Sequence, residues 1–226
     1  TNNRLRPCYH NGHMIVVIIA GGSGTRLWPL STHDQPKHLL RLTNERSLLQ
    51  NTYARVSELS ENIFVVPEAS HAHEVYEQLP EVPKDNILVE PARRGTASCV
   101  ILALSEIKKA GLPNQAILFL WGDHLIRDRQ GFARAAKQVA DLAEATKKLV
   151  FLGVEPSYPS TGFGYIHKGQ SLNNGFKNAY ELKQFVEKPD RDRAEQFFES
   201  GEYLWNMGYL TGTLETFERE IQEHAT

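Results

Sequence analysis

The sequence predicts an α/β fold with a mainly parallel sheet covered by helices on both faces. Two observations carry this. Short, continuously apolar runs recur, MIVVIIA from Met14 and AILFLW from Ala116 among them. Longer amphipathic patterns with helical spacing separate them. A strand apolar on both sides belongs to a sheet covered on both faces, and strand–helix alternation is how parallel neighbours are joined.

Taken in order, strands are predicted over residues 15–20, 63–66, 87–90, 116–121 and 149–153, with helices over 47–59, 68–79, 96–110 and 130–146 between them. In the third helix Val100, Ala103, Leu104 and Ile107 follow the i, i+3, i+4, i+7 rule of one buried face. Gly111 stops that helix, and Pro113 follows. After Gly153 the texture changes. Residues 161–166 and 179–186 read as longer strands extending the sheet. Asp190 suits the cap of a helix over 191–200, and Gly201 suits its end. Residues 205–208 introduce another strand, and 214–224 form a last helix.

Ligands of open α/β sheets bind beyond the carboxyl ends of the strands. The glycine loop Gly21-Gly22-Ser23-Gly24-Thr25-Arg26, the Glu90-Pro91 turn and the Gly122-Asp123 turn all fall at such ends, so they are predicted to share one edge. In the loop, successive N–H groups around a small volume make a nest for phosphate oxygens, with glycine allowing close approach and positive φ. Arg26 adds a fork of donors, and Lys37, after Pro36, adds a point charge. The loop is not a Walker A, because Thr25-Arg26 follows Gly24. Nor is it a dinucleotide fingerprint, because Leu27 occupies the third glycine's place.

The 226 residues allow one sizeable core, and 41% hydrophobic with 23% charged residues is ordinary for a globular chain. A net charge of −2 offers no basic field for a nucleic acid polymer, so a phosphate ligand must be held locally. No apolar run approaches the roughly 20 residues that span a bilayer, so no membrane partner is expected. Two cysteines, Cys8 and Cys99, are too few for a disulfide framework. Cys99 reads as a packed helical thiol, and a reducing cytoplasm fits this usage. Residues 1–13 read as a tag or non-native leader ahead of Met14. Residues 14–226 then form one domain that stops in a charged helical pattern, as a truncation would. His71 and His73 lie two apart on a predicted helix, point to different faces and read as surface residues.

With these segments aligned, the chain resembles the sugar-1-phosphate nucleotidyltransferases, and within them the mannose-1-phosphate guanylyltransferase branch. The resemblance runs from Met14 to about Phe217. Its motifs are Ala20-Gly21-Gly22-Ser23-Gly24-Thr25-Arg26-Leu27-Trp28-Pro29-Leu30-Ser31, then Gln35-Pro36-Lys37, Glu90-Pro91 with Arg94, Thr96 and Ala97, Gly122-Asp123-His124, Glu187-Lys188-Pro189 and Trp205-Asn206-x-Gly208. It implies a Rossmann-like mixed sheet of the nucleotide-diphospho-sugar transferase type. It also implies transfer of GMP from GTP to mannose 1-phosphate, Mg²⁺ as the cofactor, and pairing of two copies.

The same resemblance implies roles. Gly21, Gly22, Ser23, Gly24 and Thr25 would hold the nucleotide phosphates, Arg26 would stabilise the departing pyrophosphate, and Lys37 would offset charge near the α-phosphate. Asp123 would bind Mg²⁺. The stretch from Glu90 through Arg94 to Thr96 would face guanine, with Gly122 and His124 beside the nucleotide. Lys188 would grip the sugar phosphate, while Gly164, Glu187 and Asn206 would meet the sugar hydroxyls. On residue chemistry alone Asp123 also suits a turn or helix cap, Glu187-Lys188 a solvated pair, and Asn206 a local turn.

The chain departs from the branch at Arg93-Arg94-Gly95-Thr96, Trp121-Gly122 and Met207, and no aspartate follows Asp192 where the family carries a second metal ligand. Two alternatives therefore stay open. One is a related hexose-1-phosphate nucleotidyltransferase with another base or sugar; the other is an inactive nucleotide-sugar-binding paralogue.

Overall fold

The structure, a computed structural model, describes residues 14–22, 27–92, 94–172 and 175–224. Its parallel centre places β1 (Met14–Ala20) between β2 (Asn62–Pro67) and β3 (Ala116–Trp121), with Val17 opposite both Phe64 and Phe119. All of β1 is buried, because each face of the strand is covered.

The helices are α1 (Leu48–Val56), α2 (Ala72–Gln78), α3 (Thr96–Lys109), α4 (Arg129–Thr146), α5 (Arg191–Ser200) and α6 (Leu214–His224). Alternate strand residues decide which helices they meet. Val16, Ile18, Leu118 and Leu120 pack against Leu49 and Val56 of α1, Val75 of α2, and Phe132, Ala136 and Ala140 of α4. Ile15, Val17, Ile19, Ile117 and Phe119 pack instead against Ala103, Leu104 and Ile107 of α3 and Phe217 of α6. Each fully buried Leu, Ile or Phe contributes about 1.5–3 kcal/mol relative to exposure.

Local chemistry sets the helix ends. Ser47 and Gln50 close a capping box at the start of α1. The Asp128 carboxylate accepts from Gly131 N at 2.8 Å to cap α4. Asp190 caps α5, and Gly201 ends it at φ 65°. No helix among the described residues is long and apolar enough to cross a membrane.

Beyond β3 the sheet turns antiparallel through β4 (Val150–Val154), β5 (Gly164–Ser171), β6 (Tyr180–Val186) and β7 (Tyr203–Thr213). The order β2-β1-β3-β7-β5-β6, with β4 also on β7, gives seven strands. Leu210 faces Phe119 and Phe151, while Asn206 faces Gly164 and Gly153. β4 therefore lines one edge of β7, and β3 and β5 divide the other. The second half has its own small core, in which Tyr165 and Val186 meet Ala194 and Phe197 of α5.

Two elements differ from the sequence expectation. Residues 87–90 make only the isolated bridges Val65↔Ile87 and Glu68↔Glu90. Leu88 N donates to Val65 O and Glu90 N to Pro67 O, but Pro67 has no N–H to return the bond between them. The helix expected over 68–79 is split into a 3₁₀ turn, Ala69–His71, and α2. Ala69 N is spent on Glu90 O, and His71 sits at φ −123°, outside helical space.

Candidate active site

β1 and β3 end side by side, and Gly122 N donates to Ile19 O at 3.0 Å, carrying the pairing one residue past β3. Gly21-Gly22 and Gly122-Asp123 thus leave the sheet at neighbouring points. Glu90 lies just past the end of β2 on its outer side. From that segment to β7 there are four strand spacings, roughly 19 Å of one carboxyl edge. The convergence expected from sequence is met by the described residues. Ser23, Gly24, Thr25 and Arg26 lie outside them.

At the middle of the edge, Lys37 Nζ donates to Asp123 Oδ2 at 2.9 Å, with both side chains about one-third exposed (32% each). Lys37 opens a 3₁₀ turn, Lys37–Leu39, closed by Leu39 N to Pro36 O at 3.0 Å. Its loop is held from both ends of the α2 segment. The His71 Nε2–H donates to His33 O at 2.6 Å, with the Ser70 hydroxyl on Nδ1 at 3.0 Å. Gln78 Nε2 donates to Leu39 O at 3.3 Å. His71 is therefore buried, against the surface position expected for it, because the 3₁₀ turn aims it at the Lys37 loop. Only His73 is on the surface. His38, next to Lys37, is also buried. Burial, then the nearby His71, push its imidazole down to about 4, against an opposing pull from Asp123.

Behind Asp123 lies a polar column of which sequence reading named His124 but not Tyr209 or Arg55. His124 Nδ1 is 3.0 Å from the Tyr209 hydroxyl, and the two rings stack with centroids 5.3 Å apart. Burial holds the His124 imidazole below its ordinary range, with Lys37 and Arg55 acting the same way and Asp123 against it. Tyr209 is fully buried, and that burial raises its phenol to about 12. Arg55 of α1 is buried as well, donating to Thr52 Oγ1 at 3.1 Å and lying over the Phe132 ring. An arginine in an amphipathic helix ordinarily reads as a solvated face, so only packing reveals it.

On the β2 side of the edge Glu90 is buried, and its Oε1 accepts from Arg94 N at 3.1 Å, closing the turn that leads into α3. Thr96 opens α3 after Gly95, whose φ of 91° places it as the N-cap without a side-chain bond. Cys99, one turn in, is buried beside Glu90, and its thiol is pushed up to about 12, first by burial and then by that carboxylate.

On the other side, Gly164 opens β5 directly opposite Asn206. A β-carbon at Gly164 would fall 2.7 Å from Glu187 Oε2, so the missing side chain is what lets that carboxylate lie there. Glu187 Oε1 pairs with Lys188 Nζ at 3.0 Å. Asn206 Oδ1 accepts from Gly208 N at 2.9 Å in a bulge, the local turn its chemistry allowed, and Nδ2 has no partner among the described residues. Gly164 stands opposite Asn206 of β7, and the Trp121 indole at the end of β3 lies against Gly208, two residues along the same strand. The change of partner from β3 to β5 thus sets the Gly164, Glu187 and Asn206 group beside Gly122-Asp123.

Among groupings of three potential metal ligands in the described residues there is Glu220, Glu223 and His224 on α6, away from this edge. Beside Lys37 at the middle of the edge the oxygen donor is the Asp123 carboxylate, with Glu90 and Glu187 on either side along the edge. That set fits Mg²⁺, which takes one or two carboxylates and completes its octahedron with water and substrate phosphates.

The sequence profile of the nucleotidyl transferase family matches residues 15–226. The chain belongs to that family. Among curated nucleotidyl transferase relatives, mannose-1-phosphate guanylyltransferase RfbM of Salmonella typhimurium is 39% identical over 210 residues, 91% of this chain and 43% of that protein. A mannose-1-phosphate guanylyltransferase of Escherichia coli K12 is 38% identical over 213 residues, 92% of this chain and 44% of its own. The chain spans less than half the length of these relatives. Of solved structures, a Thermus thermophilus protein described as a mannose-1-phosphate geranyltransferase superimposes with a TM-score of 0.83 at 31% identity, over 94% of this chain and 61% of that one.

Proposed function

We propose that this chain carries the site that transfers GMP from GTP to mannose 1-phosphate, releasing pyrophosphate and forming GDP-mannose. The observation that carries the reading is the Lys37–Asp123 pair at 2.9 Å, set on the carboxyl edge between the Glu90 side and the Gly164–Glu187–Asn206 side. The curated relatives named for this reaction support the choice of base and sugar.

In this reading the base lies toward Glu90, Arg94 and Thr96, and the triphosphate crosses Gly21-Gly22 toward Asp123. The hexose lies against Gly164, Glu187 and Asn206, with Lys188 on its phosphate. An oxygen of the sugar phosphate attacks the α-phosphorus as the bond to pyrophosphate breaks. Such chemistry is served by positioning and charge neutralisation rather than by a covalent nucleophile. Lys37 offsets charge at the α-phosphate, and Arg26 meets the leaving pyrophosphate. Mg²⁺ held by Asp123 would neutralise phosphate charge and orient the phosphate oxygens.

The test is pyrophosphate release from a matrix of four nucleoside triphosphates against mannose, glucose and N-acetylglucosamine 1-phosphates. The expected result is fastest release with GTP and mannose 1-phosphate. Faster turnover of another pair would reassign base or sugar. Binding of GDP-mannose with no release from any pair would mark a binding paralogue.

A further inference from the structure

Arg55 is a buried cation with no carboxylate partner among the described residues. Burying a charge without an opposite charge costs several kcal/mol, so a fold that keeps one gains something by it. This guanidinium donates to the Thr52 hydroxyl at 3.1 Å, its Nε has no partner among the described residues, and its charge lies close enough to pull the buried Tyr209 phenol down against the effect of burial. Tyr209 is fully buried and touches one further polar group, His124 Nδ1 at 3.0 Å.

These contacts have a direction. A guanidinium only donates, so the phenol oxygen turns its lone pairs to Arg55 and its proton away from the positive charge. The polar group within hydrogen-bond reach of that proton is His124 Nδ1, at 3.0 Å. If Nδ1 carried the imidazole proton, the Tyr209 hydroxyl hydrogen would be buried without an acceptor among the described residues, an arrangement native interiors avoid. Nδ1 must then accept, and the ring proton sits on Nε2. That nitrogen is 3.9 Å from Asp123 Oδ1, on the side of the carboxylate that Lys37 leaves open.

We propose that Arg55 and Tyr209 are positioning residues: the buried guanidinium fixes the sense of the hydrogen bond from Tyr209 into His124, so that His124 presents an Nε2–H donor at the carboxyl edge beside Asp123. The donor suits a phosphate oxygen of a nucleotide, and that last step rests on the function proposed above. The order Arg55, Tyr209, His124, Asp123 joins α1, β7 and the end of β3 in one polar line running from core to edge. Neither Arg55 nor Tyr209 touches the ligand; both act through His124.

The test uses the ring nitrogens of His124, read by long-range ¹H–¹⁵N correlation in ¹⁵N-histidine protein and assigned by the signals missing in His124→Gln. In the wild type Nδ1 is expected to show the shift of a hydrogen-bonded acceptor, and Nε2 that of a protonated nitrogen. Tyr209→Phe keeps the stacked ring and removes the donor, so the Nδ1 resonance moves toward that of a free acceptor. Arg55→Met, an exchange of buried charge for apolar volume that folds commonly tolerate, lets an Nδ1-protonated form appear. In pyrophosphate release both variants are expected to lose about five- to tenfold in kcat, the worth of one hydrogen bond, with KM for mannose 1-phosphate unchanged. A wild-type His124 protonated on Nδ1, or ring spectra identical in all three proteins, would overturn the proposal. Failure of the wild type to release pyrophosphate would sink the proposed function and leave the nitrogen assignment to be judged by the spectra alone.

Discussion

Gly208 lies against the indole of Trp121 so closely that a β-carbon built on it falls 2.3 Å from Nε1. It also holds φ at 73°, a conformation costly for any residue with a side chain. Through this contact the bulge of β7 is seated on the last residue of β3, which fixes where Asn206 stands relative to Asp123. Gly208→Ala is expected to destabilise the fold by about 2–4 kcal/mol, the sum of backbone strain and overpacking. Urea unfolding measures it, and adding Trp121→Phe should recover only part, because the φ strain remains. A Gly208→Ala protein as stable as the wild type would show that the contact yields freely.

Lys37 is partly exposed and sits in a short turn, so the fold should survive its loss. Lys37→Ala is expected to lower the rate of pyrophosphate release by about a hundredfold, the usual loss for one preorganised charge at a reacting phosphate or oxyanion. Lys37→Arg should restore little, since a planar fork does not replace a point charge. Wild-type turnover in Lys37→Ala would remove Lys37 from the reaction.

Gly164 makes room for Glu187. In Gly164→Ala the new β-carbon meets Glu187 Oε2 at 2.7 Å and the Phe185 ring at 2.9 Å, so the carboxylate must move. If Glu187 holds the hexose, KM for mannose 1-phosphate rises about tenfold, one hydrogen bond to a charged group, while GTP affinity stays the same. Calorimetric titration with GTP and initial rates against the sugar phosphate separate the two. An equal loss of GTP binding would mean that the variant disturbs the whole edge.

Buried His38 makes stability depend on pH. Its imidazole lies near 4 in the folded chain against an ordinary 6.5, so between those values the unfolded chain binds more protons. Stability is then full above about 6.5 and is lost as pH falls toward 4. By linkage the loss at pH 5 relative to pH 7.5 is on the order of 2 kcal/mol from this residue. His38 faces His71 and feels Asp123, so His38→Gln is the control. The wild type should lose about that much more than the variant in urea unfolding at the two pH values. Parallel losses in both would assign the acid sensitivity elsewhere.

The legible parts of this molecule are those governed by short-range rules. β1 and β3 announce themselves as continuous apolar runs because both of their faces are covered. Asp190 and Gly201 mark the two ends of α5, since capping needs only neighbours in the chain. Residues 87–90 look like a strand by composition, yet the ladder fails at Pro67, a residue of its partner. His71 misleads for a similar reason: helical spacing puts it on a surface face, and a 3₁₀ turn turns it inward.

By itself, then, the sequence determined the alternation of strands and helices, the glycine-rich stretch that follows β1 and the placing of Glu90 and Asp123 at the carboxyl edge, all of which depend on periodicity and local chemistry. Only the tertiary structure decided that Lys37 meets Asp123 across 86 positions of chain. It also decided that β7 changes partner between Leu210 and Asn206, and that Arg55 and Tyr209 stand in the core behind His124. Each of these is a contact between distant segments. Its energy comes from burial and pairing on folding, which no residue's own neighbours in the chain can encode.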